Sequence, residues 1–262
     1  MAKRDRQVIQ SLLKALNILS LFSRKNPELR LKEISEKLDM PASTTHRLLR
    51  TLQGSDYITQ DPCSGKYRLG AAAFILGTKV PTINKLVETS LPYIARLATK
   101  YNATTHVAIE TNGYVLCLEK IEPPTAIVNS PPRGERHDLH LTGLGKCLLA
   151  FAPQPKQEKL IQGMTFRRAT PKSIMNRKDL LAELMLASRQ GYAIDNCESC
   201  ENLYCFAAPV LQPDGSAVGA ISVSLNSFSF PDSASNIISD VKQSAEKISS
   251  SLYPKIKKQK LF

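Results

Sequence analysis

Residues 40–49 read Met-Pro-Ala-Ser-Thr-Thr-His-Arg-Leu-Leu, which places a turn signal before a short polar run and two leucines. Proline breaks a preceding helix and serine is a favourable N-cap. We therefore expect a new helix over about residues 43–56, capped by Ala42 or Ser43. Apolar side chains three and four positions apart share one face of a helix, and here that face would point inward. Its members are Leu48, Leu49 and Leu52.

Two further helices are predicted before this one and a β-hairpin after it. Residues 9–22 and residues 31–38 repeat apolar side chains at spacings of three and four, which is typical of amphipathic helices. Residues 57–60 and 66–69 read as short strands around a turn that contains proline and glycine. Three helices followed by a hairpin are the element order of a winged helix-turn-helix. The apolar face predicted for the first helix comprises Ile9, Leu12, Leu13, Leu16, Leu19 and Phe22.

The charge distribution agrees with a nucleic-acid-binding module in the first third of the chain. The 262 residues carry a formal net charge of +12, and residues 1–80 hold 14 Lys and Arg against 7 Asp and Glu. Residues 81–252 are nearly neutral, and four more lysines lie in residues 253–262. A basic module suits DNA, because the release of counterions from phosphates drives non-specific affinity.

The predicted DNA contacts lie at the start of the third helix and on the hairpin. In a helix-turn-helix, the recognition helix sets its N-terminal residues against base edges and phosphates in the major groove. Hydroxyl groups bond to phosphates or bases, and an arginine grips guanine with two bonds. The hairpin would bring basic side chains to the DNA backbone or minor groove. The candidates are Ser43, Thr44, Thr45, His46, Arg47, Arg50, Lys66 and Arg68.

The rest of the chain reads as a mixed α/β sheet covered by helices, which makes the fold class α+β. A short helix over residues 70–79 is followed by a boundary at Pro81 and a longer helix with a kink or break at Pro92. Asn112-Gly113 is a strong hairpin signal between two strands in residues 104–122. Further strands are predicted at residues 126–129, 204–211 and 217–225, a polar loop at 131–140, and helices at 145–151, 156–162, 176–190 and 232–252.

Seven stretches together resemble the IclR family of transcription regulators. In the first half they are residues 12–16 (LLKAL), 31–35 (LKEIS), 40–49 (MPASTTHRLL) and 67–70 (YRLG). In the second half they are residues 142–150 (TGLGKCLLA), 191–195 (GYAID) with 205–210 (CFAAPV), and 219–224 (GAISVS). The resemblance implies a winged helix-turn-helix DNA-binding domain at 1–70, a linker helix at 71–81, and a GAF-like effector-binding domain at 82–262.

The resemblance also implies a regulator whose operator affinity responds to a small organic-acid, sugar-acid or aromatic effector. Of the two modes of regulation, the resemblance favours repression. Glycines at the start of a helix leave backbone N–H groups accessible to a carboxylate. An aspartate accepts a hydrogen bond from a ligand hydroxyl. Ser222 and Ser224, two positions apart on a strand, share one face. A homodimer or homotetramer on double-stranded, pseudo-palindromic operator DNA would follow. The implied effector-binding positions are Gly143, Leu144, Asp195, Cys205, Ser222 and Ser224.

Three other function classes stay open on the residues alone, and one of them is a constitutive architectural DNA binder that needs no effector pocket. Cys197, Cys200 and Cys205 have metal-like spacing without an apparent fourth ligand, so a metal- or redox-sensing regulator is the alternative. An enzyme is disfavoured, because no phosphate-binding loop, nucleophile elbow or zinc-protease motif is present, and we expect no cofactor. The polar N-terminus and the lack of a long apolar run predict a cytoplasmic protein without a membrane span.

Overall fold

The computed structural model describes residues 8–23, 26–124, 132–226 and 234–254. The chain divides into two compact units, Met1–Pro81 and Thr82–Phe262. Both units combine helices with antiparallel strands, which confirms the α+β class. None of the helices in the described ranges combines the length and the apolar character that a membrane span requires.

The N-terminal unit is a winged helix-turn-helix. Its strands β1 and β2 form an antiparallel hairpin in which Ile58 pairs with Leu69, and Leu29 bridges to Tyr67. The buried core combines one or more side chains from each of the three helices with the hairpin, including Ile18, Ile34, Leu49 and Ile58. The elements are α1 (Gln10–Ser20), α2 (Leu31–Lys37), α3 (Ala42–Gly54), β1 (Ile58–Gln60), β2 (Tyr67–Leu69) and α4 (Ala71–Gly77).

The start of α3 differs from the predicted capping. Pro41, rather than Ala42 or Ser43, occupies the N-cap position, and it makes no side-chain cap bond. The turn before it is held by Ser35, whose hydroxyl donates to the Met40 carbonyl. The cap prediction was wrong because proline, with its fixed φ, can itself end the turn and leave Ser43 as the second residue of the helix.

The apolar face predicted for α1 is buried only in part. Leu12, Leu13 and Leu16 are exposed by 56, 42 and 52%, whereas Ile18, outside the predicted set, is fully buried. Periodicity shows which side chains share a face but not what covers that face. On α3 the prediction holds, because Leu49 is buried and both other leucines pack against the core.

The C-terminal unit is a six-stranded antiparallel sheet between two helical layers. The strand order is β5-β4-β3-β8-β7-β6. One face packs against α5 and α9 through a large apolar cluster, and the other packs against α6 and α8. The elements are α5 (Pro81–Tyr101), β3 (Thr104–Thr111), β4 (Tyr114–Ile121), β5 (Arg136–Asp138), α6 (Gly143–Ala150), α7 (Gln154–Gln162), α8 (Arg177–Gln190), β6 (Ala193–Asn196), β7 (Leu203–Leu211), β8 (Ala217–Asn226) and α9 (Ala234–Leu252).

Most predicted elements of this unit are confirmed, among them the β3–β4 hairpin, which turns at Asn112 and Gly113, both at positive φ. Three features differ from the prediction. Helix α5 continues through Pro92 without a break. The predicted polar loop at 131–140 contains β5, which pairs with β4, and the four-residue β6 was not predicted. The strand predicted at 126–129 lies outside the described residues.

Candidate functional site

The exposed face of α3 carries most of the predicted DNA contacts. Four of these residues are exposed: Ser43, His46, Arg47 and Arg50. Each lies three or four positions from two of the others, so the four side chains share one face of the helix. Thr44 is half-buried at the edge of this set. The helix therefore presents hydroxyl, imidazole and guanidinium groups on one surface, which are the groups that bond to phosphates and base edges.

Thr45 departs from this set. Its side chain is fully buried, and its hydroxyl donates to the Pro41 carbonyl oxygen at 3.2 Å. A hydroxyl turned back to the carbonyl four residues earlier is satisfied within the helix and is not available to DNA. Thr45 therefore secures the first turn of α3 against the core.

The two basic residues predicted on the hairpin lie in different surroundings. Lys66 is half-buried, while Arg68 on β2 is exposed. The Arg68 guanidinium lies 3.7 Å from the Glu28 carboxylate, and its Nε donates to the Thr59 hydroxyl at 3.4 Å. The hairpin turn is ordered by Asp61, whose carboxylate accepts backbone N–H bonds, so the wing has a defined shape.

In the C-terminal unit, the sheet register brings four of the predicted effector residues together. Asp195 of β6 pairs with Cys205 of β7, and Cys205 pairs with Ser224 of β8. Ser222, two residues from Ser224, shares its face. All four side chains are buried on the side of the sheet that α6 and α8 cover.

The start of α6 lies directly against this row. A Cβ atom at Gly143 would come within 3.1 Å of the Cys205 carbonyl oxygen and 3.2 Å of the Asp195 nitrogen, so glycine permits the close approach. The Gly145 N–H donates to the Thr142 hydroxyl at 2.9 Å and is therefore occupied by the helix cap. Leu144 is buried in the apolar cluster beneath the helix.

Asp195 is hydrogen-bonded inside the protein. Its carboxylate accepts from the Glu198 N–H at 2.7 Å and from the Ser199 hydroxyl at 2.5 Å, with a longer bond from the Ser199 N–H. Burial raises the pKa of Asp195, while the Ser199 and Glu198 bonds and the charge of Lys146 act in the opposite direction. Asp195, a predicted effector contact, thus orders the turn after β6.

A buried lysine beside this row was not predicted from the sequence. Lys146 is fully buried, and its Nζ donates to the Glu198 carboxylate at 2.5 Å and to Glu183 at 3.4 Å. Burial raises the pKa of Glu198 to about 7, against the opposing charge of Lys146. The signal available in the sequence was a single lysine among the apolar residues of α6. A charged side chain on a buried helix needs a partner, so this lysine pointed to a buried polar contact.

The cysteines do not gather into a metal site in the part of the chain that the structure describes. Cys205 lies on β7, whereas Cys197 and Cys200 belong to the segment after β6, and no group of three or more His, Cys, Asp or Glu side chains there could hold a metal ion. Burial raises the pKa of Cys205 to about 11, with Asp195 adding to the rise and the Ser224 and Ser222 hydroxyls opposing it. The Cys205 thiol is therefore protonated at neutral pH, which disfavours nucleophilic chemistry.

Comparisons with known proteins agree with both halves of this description. The model of the IclR helix-turn-helix domain matches residues 11–62, and that of the bacterial transcriptional regulator IclR C-terminal domain matches residues 79–250. The HTH-type transcriptional regulator XynR of Escherichia coli is 33% identical over 217 residues, which is 83% of this chain and 86% of that protein. The HTH-type transcriptional repressor AllR of Salmonella paratyphi A is 31% identical over 82% of this chain and 79% of its own.

A solved structure has the same fold. The IclR homologue from Microbacterium hydrocarbonoxydans in complex with 4-hydroxybenzoate superposes with a TM-score of 0.83 at 21% identity, covering 92% of this chain and 98% of its own. The matching family models and the curated relatives define a DNA-binding transcription regulator. The chain belongs to the IclR family.

Proposed function

We propose that the chain is a repressor whose affinity for its operator is controlled by a small organic-acid or sugar-acid effector. The observation that carries this proposal is the buried polar row Asp195–Cys205–Ser224, which faces the start of α6. Polar side chains are rarely buried in such numbers unless they have partners. The Microbacterium homologue, which shares the fold, holds a small hydroxylated carboxylic acid, and AllR is a repressor.

The effector site would consist of Gly143, Leu144, Asp195, Cys205, Ser222 and Ser224. The backbone at the start of α6 offers N–H groups to a carboxylate, since the positive end of a helix favours anions. The protonated thiol and the two hydroxyls can each donate a hydrogen bond. The Asp195 carboxylate accepts from a hydroxyl group of the effector.

The DNA contacts would come from the exposed face of α3, from Thr44 at its edge, and from Lys66 and Arg68 on the hairpin. Two winged helices of a dimer would dock on a pseudo-palindromic operator, because a two-fold protein matches a two-fold site. The linker at residues 71–81 would connect the DNA-binding domain at 1–70 with the effector domain at 82–262. Effector binding would then change the spacing of the two winged helices.

The linker helix α4 supplies an apolar surface for subunit pairing. Ile75 and Leu76 are exposed by 49 and 56% in the single chain, and Phe74 by 75%. Exposed apolar side chains this close together mark a contact surface. We expect the Ile75→Asp/Leu76→Asp double variant to raise the dimer dissociation constant about tenfold or more. Sedimentation velocity would measure this, and a monomeric wild-type chain would contradict the proposal.

Replacing Asp195 tests the effector site without removing the turn that it orders. Asp195→Asn keeps an acceptor oxygen for the Glu198 and Ser199 N–H groups but loses the charge. We expect effector affinity to fall about tenfold or more, since bonds to charged groups are the stronger ones. Without effector, the operator affinity of the variant should stay within about twofold of the wild-type affinity. The reason is that the effector site influences operator binding only when effector is bound.

The measurement is a thermal-shift screen of carboxylic and sugar acids on the full chain, followed by operator titration with the best compound. A ligand that binds only the native state raises the melting temperature. Lys172→Ala, which removes an exposed lysine bonded to Asn196, serves as the control. An effector response that Asp195→Asn leaves intact would refute the assignment of this residue.

A further inference from the structure

The polar row of the effector site continues onto a strand that the effector residues do not include. Thr104 of β3 pairs with Ser224, and His106 pairs with Ser222. Residues that pair directly across antiparallel strands share a face, so Thr104 and His106 stand on the same side of the sheet as the two serines. The polar surface therefore runs across four strands, from Asp195 to Thr104.

Both β3 side chains carry a buried polar atom without a partner. The Thr104 hydroxyl and the His106 Nε2 have no hydrogen-bond partner within the described chain, although both residues are almost completely buried. Thr105, which faces the other side of the sheet, donates to the Ile94 carbonyl at 3.0 Å. Buried polar groups are almost always satisfied, so two orphans side by side indicate a ligand or bound water.

His106 is neutral in this environment. Burial lowers its pKa to about 3, and the positive charges of Lys120 and His137 act in the same direction. A neutral imidazole has one donor and one acceptor nitrogen. Its Nδ1 lies 3.3 Å from the Ser222 hydroxyl, which leaves Nε2 for a second group.

We infer that Thr104 and His106 complete the effector pocket and bind a hydroxyl group of the effector, which is therefore a hydroxylated carboxylic acid. This inference rests on the proposed effector function and narrows its ligand class. A hydroxyl group both donates and accepts hydrogen bonds, so it can bond to the neutral side chains of Thr104 and His106.

The inference can be tested with pairs of acids that differ only in hydroxyl groups. The probes are glycolate against acetate, lactate against propionate, and gluconate against hexanoate, titrated calorimetrically into the full chain. A site that bonds to a ligand hydroxyl discriminates against the analogue without it, so we expect at least one hydroxy acid to bind about tenfold or more tightly than its partner.

Three variants assign that preference to residues. Thr104→Val and His106→Leu should each reduce the preference for the hydroxy acid to about twofold or less, while the affinity for the deoxy acid stays unchanged. Thr105→Val removes the satisfied hydroxyl on the opposite face and is the matched control. It should lower the melting temperature without changing the preference. Thr104→Val should not lower the melting temperature of the free protein, because its hydroxyl has no partner there.

The possible failures are distinguishable. Tight binding of acids without preference for the hydroxylated member would overturn this inference and leave the proposed function standing. A preference that survives both β3 variants would remove Thr104 and His106 from the pocket. Binding of none of these acids would overturn the acid-effector function, and the inference with it.

Discussion

Lys146→Ala is expected to lower the free energy of unfolding by about 3–5 kcal/mol at a pH above 7, where Glu198 is ionised, because it leaves that buried carboxylate without its cation. Lys146 is fully buried and bonds to Glu198, whose side chain is only 10% exposed. Urea unfolding of the full chain, followed by circular dichroism, measures the change. Lys172→Ala is the control, and removal of that exposed lysine should cost about 0.5 kcal/mol or less.

A second substitution separates the charge effect from lost packing. Glu198→Gln in the Lys146→Ala background removes the unpaired carboxylate and should restore part of the lost stability. A double variant no more stable than Lys146→Ala alone would contradict the electrostatic explanation.

The free energy of unfolding of the wild-type chain should also depend on pH through the ionisation of Glu198. The pKa of Glu198 is raised from 4.5 to about 7 on folding, so the native state holds its proton more tightly than the unfolded state. Stability from this group is present below pH 4.5 and lost as the pH rises through 7. Asp195, whose pKa is also raised, acts in the same direction. Glu198→Gln should flatten this slope, and an unchanged slope would refute the assignment.

Arg47→Ala is expected to weaken operator binding by about 1–3 kcal/mol, or about fivefold to 150-fold. Arg47 is exposed in the middle of the polar face of α3. The operator would be selected from random-sequence DNA with the wild-type chain, and binding would be measured at several salt concentrations. Arg177→Ala, which removes an exposed arginine from the C-terminal unit, is the matched control for net charge.

The salt dependence distinguishes two kinds of contact by Arg47. Loss of a base contact relaxes specificity at one position, whereas loss of a phosphate contact weakens binding to all sequences and reduces the salt slope by about 1. Equal operator affinity of wild type and Arg47→Ala would remove this residue from the interface.

Local signals predicted much of the fold. Proline before α3, the turn in the wing and the Asn112-Gly113 pair each act over a few residues, so their effects are visible in sequence. Strand β5, by contrast, is three polar residues without apolar alternation. It exists because β4 offers backbone groups for pairing, and a pairing between distant segments leaves no local pattern.

The candidate site shows the same division. Alternation along one strand was enough to predict that Ser222 and Ser224 share a face. That Thr104 adjoins Ser224, across 120 positions of sequence, depends on the register of β3 against β8. The contact between Lys146 and Glu198 likewise joins residues 52 positions apart.

The sequence by itself determined the order of the helices and strands, the basic character of the first third, and the family. These follow from short-range periodicity, turn chemistry and composition. The tertiary structure decided that Leu12 and Leu16 are exposed and that Thr45 is buried. It also decided that the orphan atoms of Thr104 and His106 adjoin the proposed effector residues. Burial and sheet register are set by packing between distant segments, and desolvation in that packing shifts the pKa values and leaves polar atoms in need of a ligand.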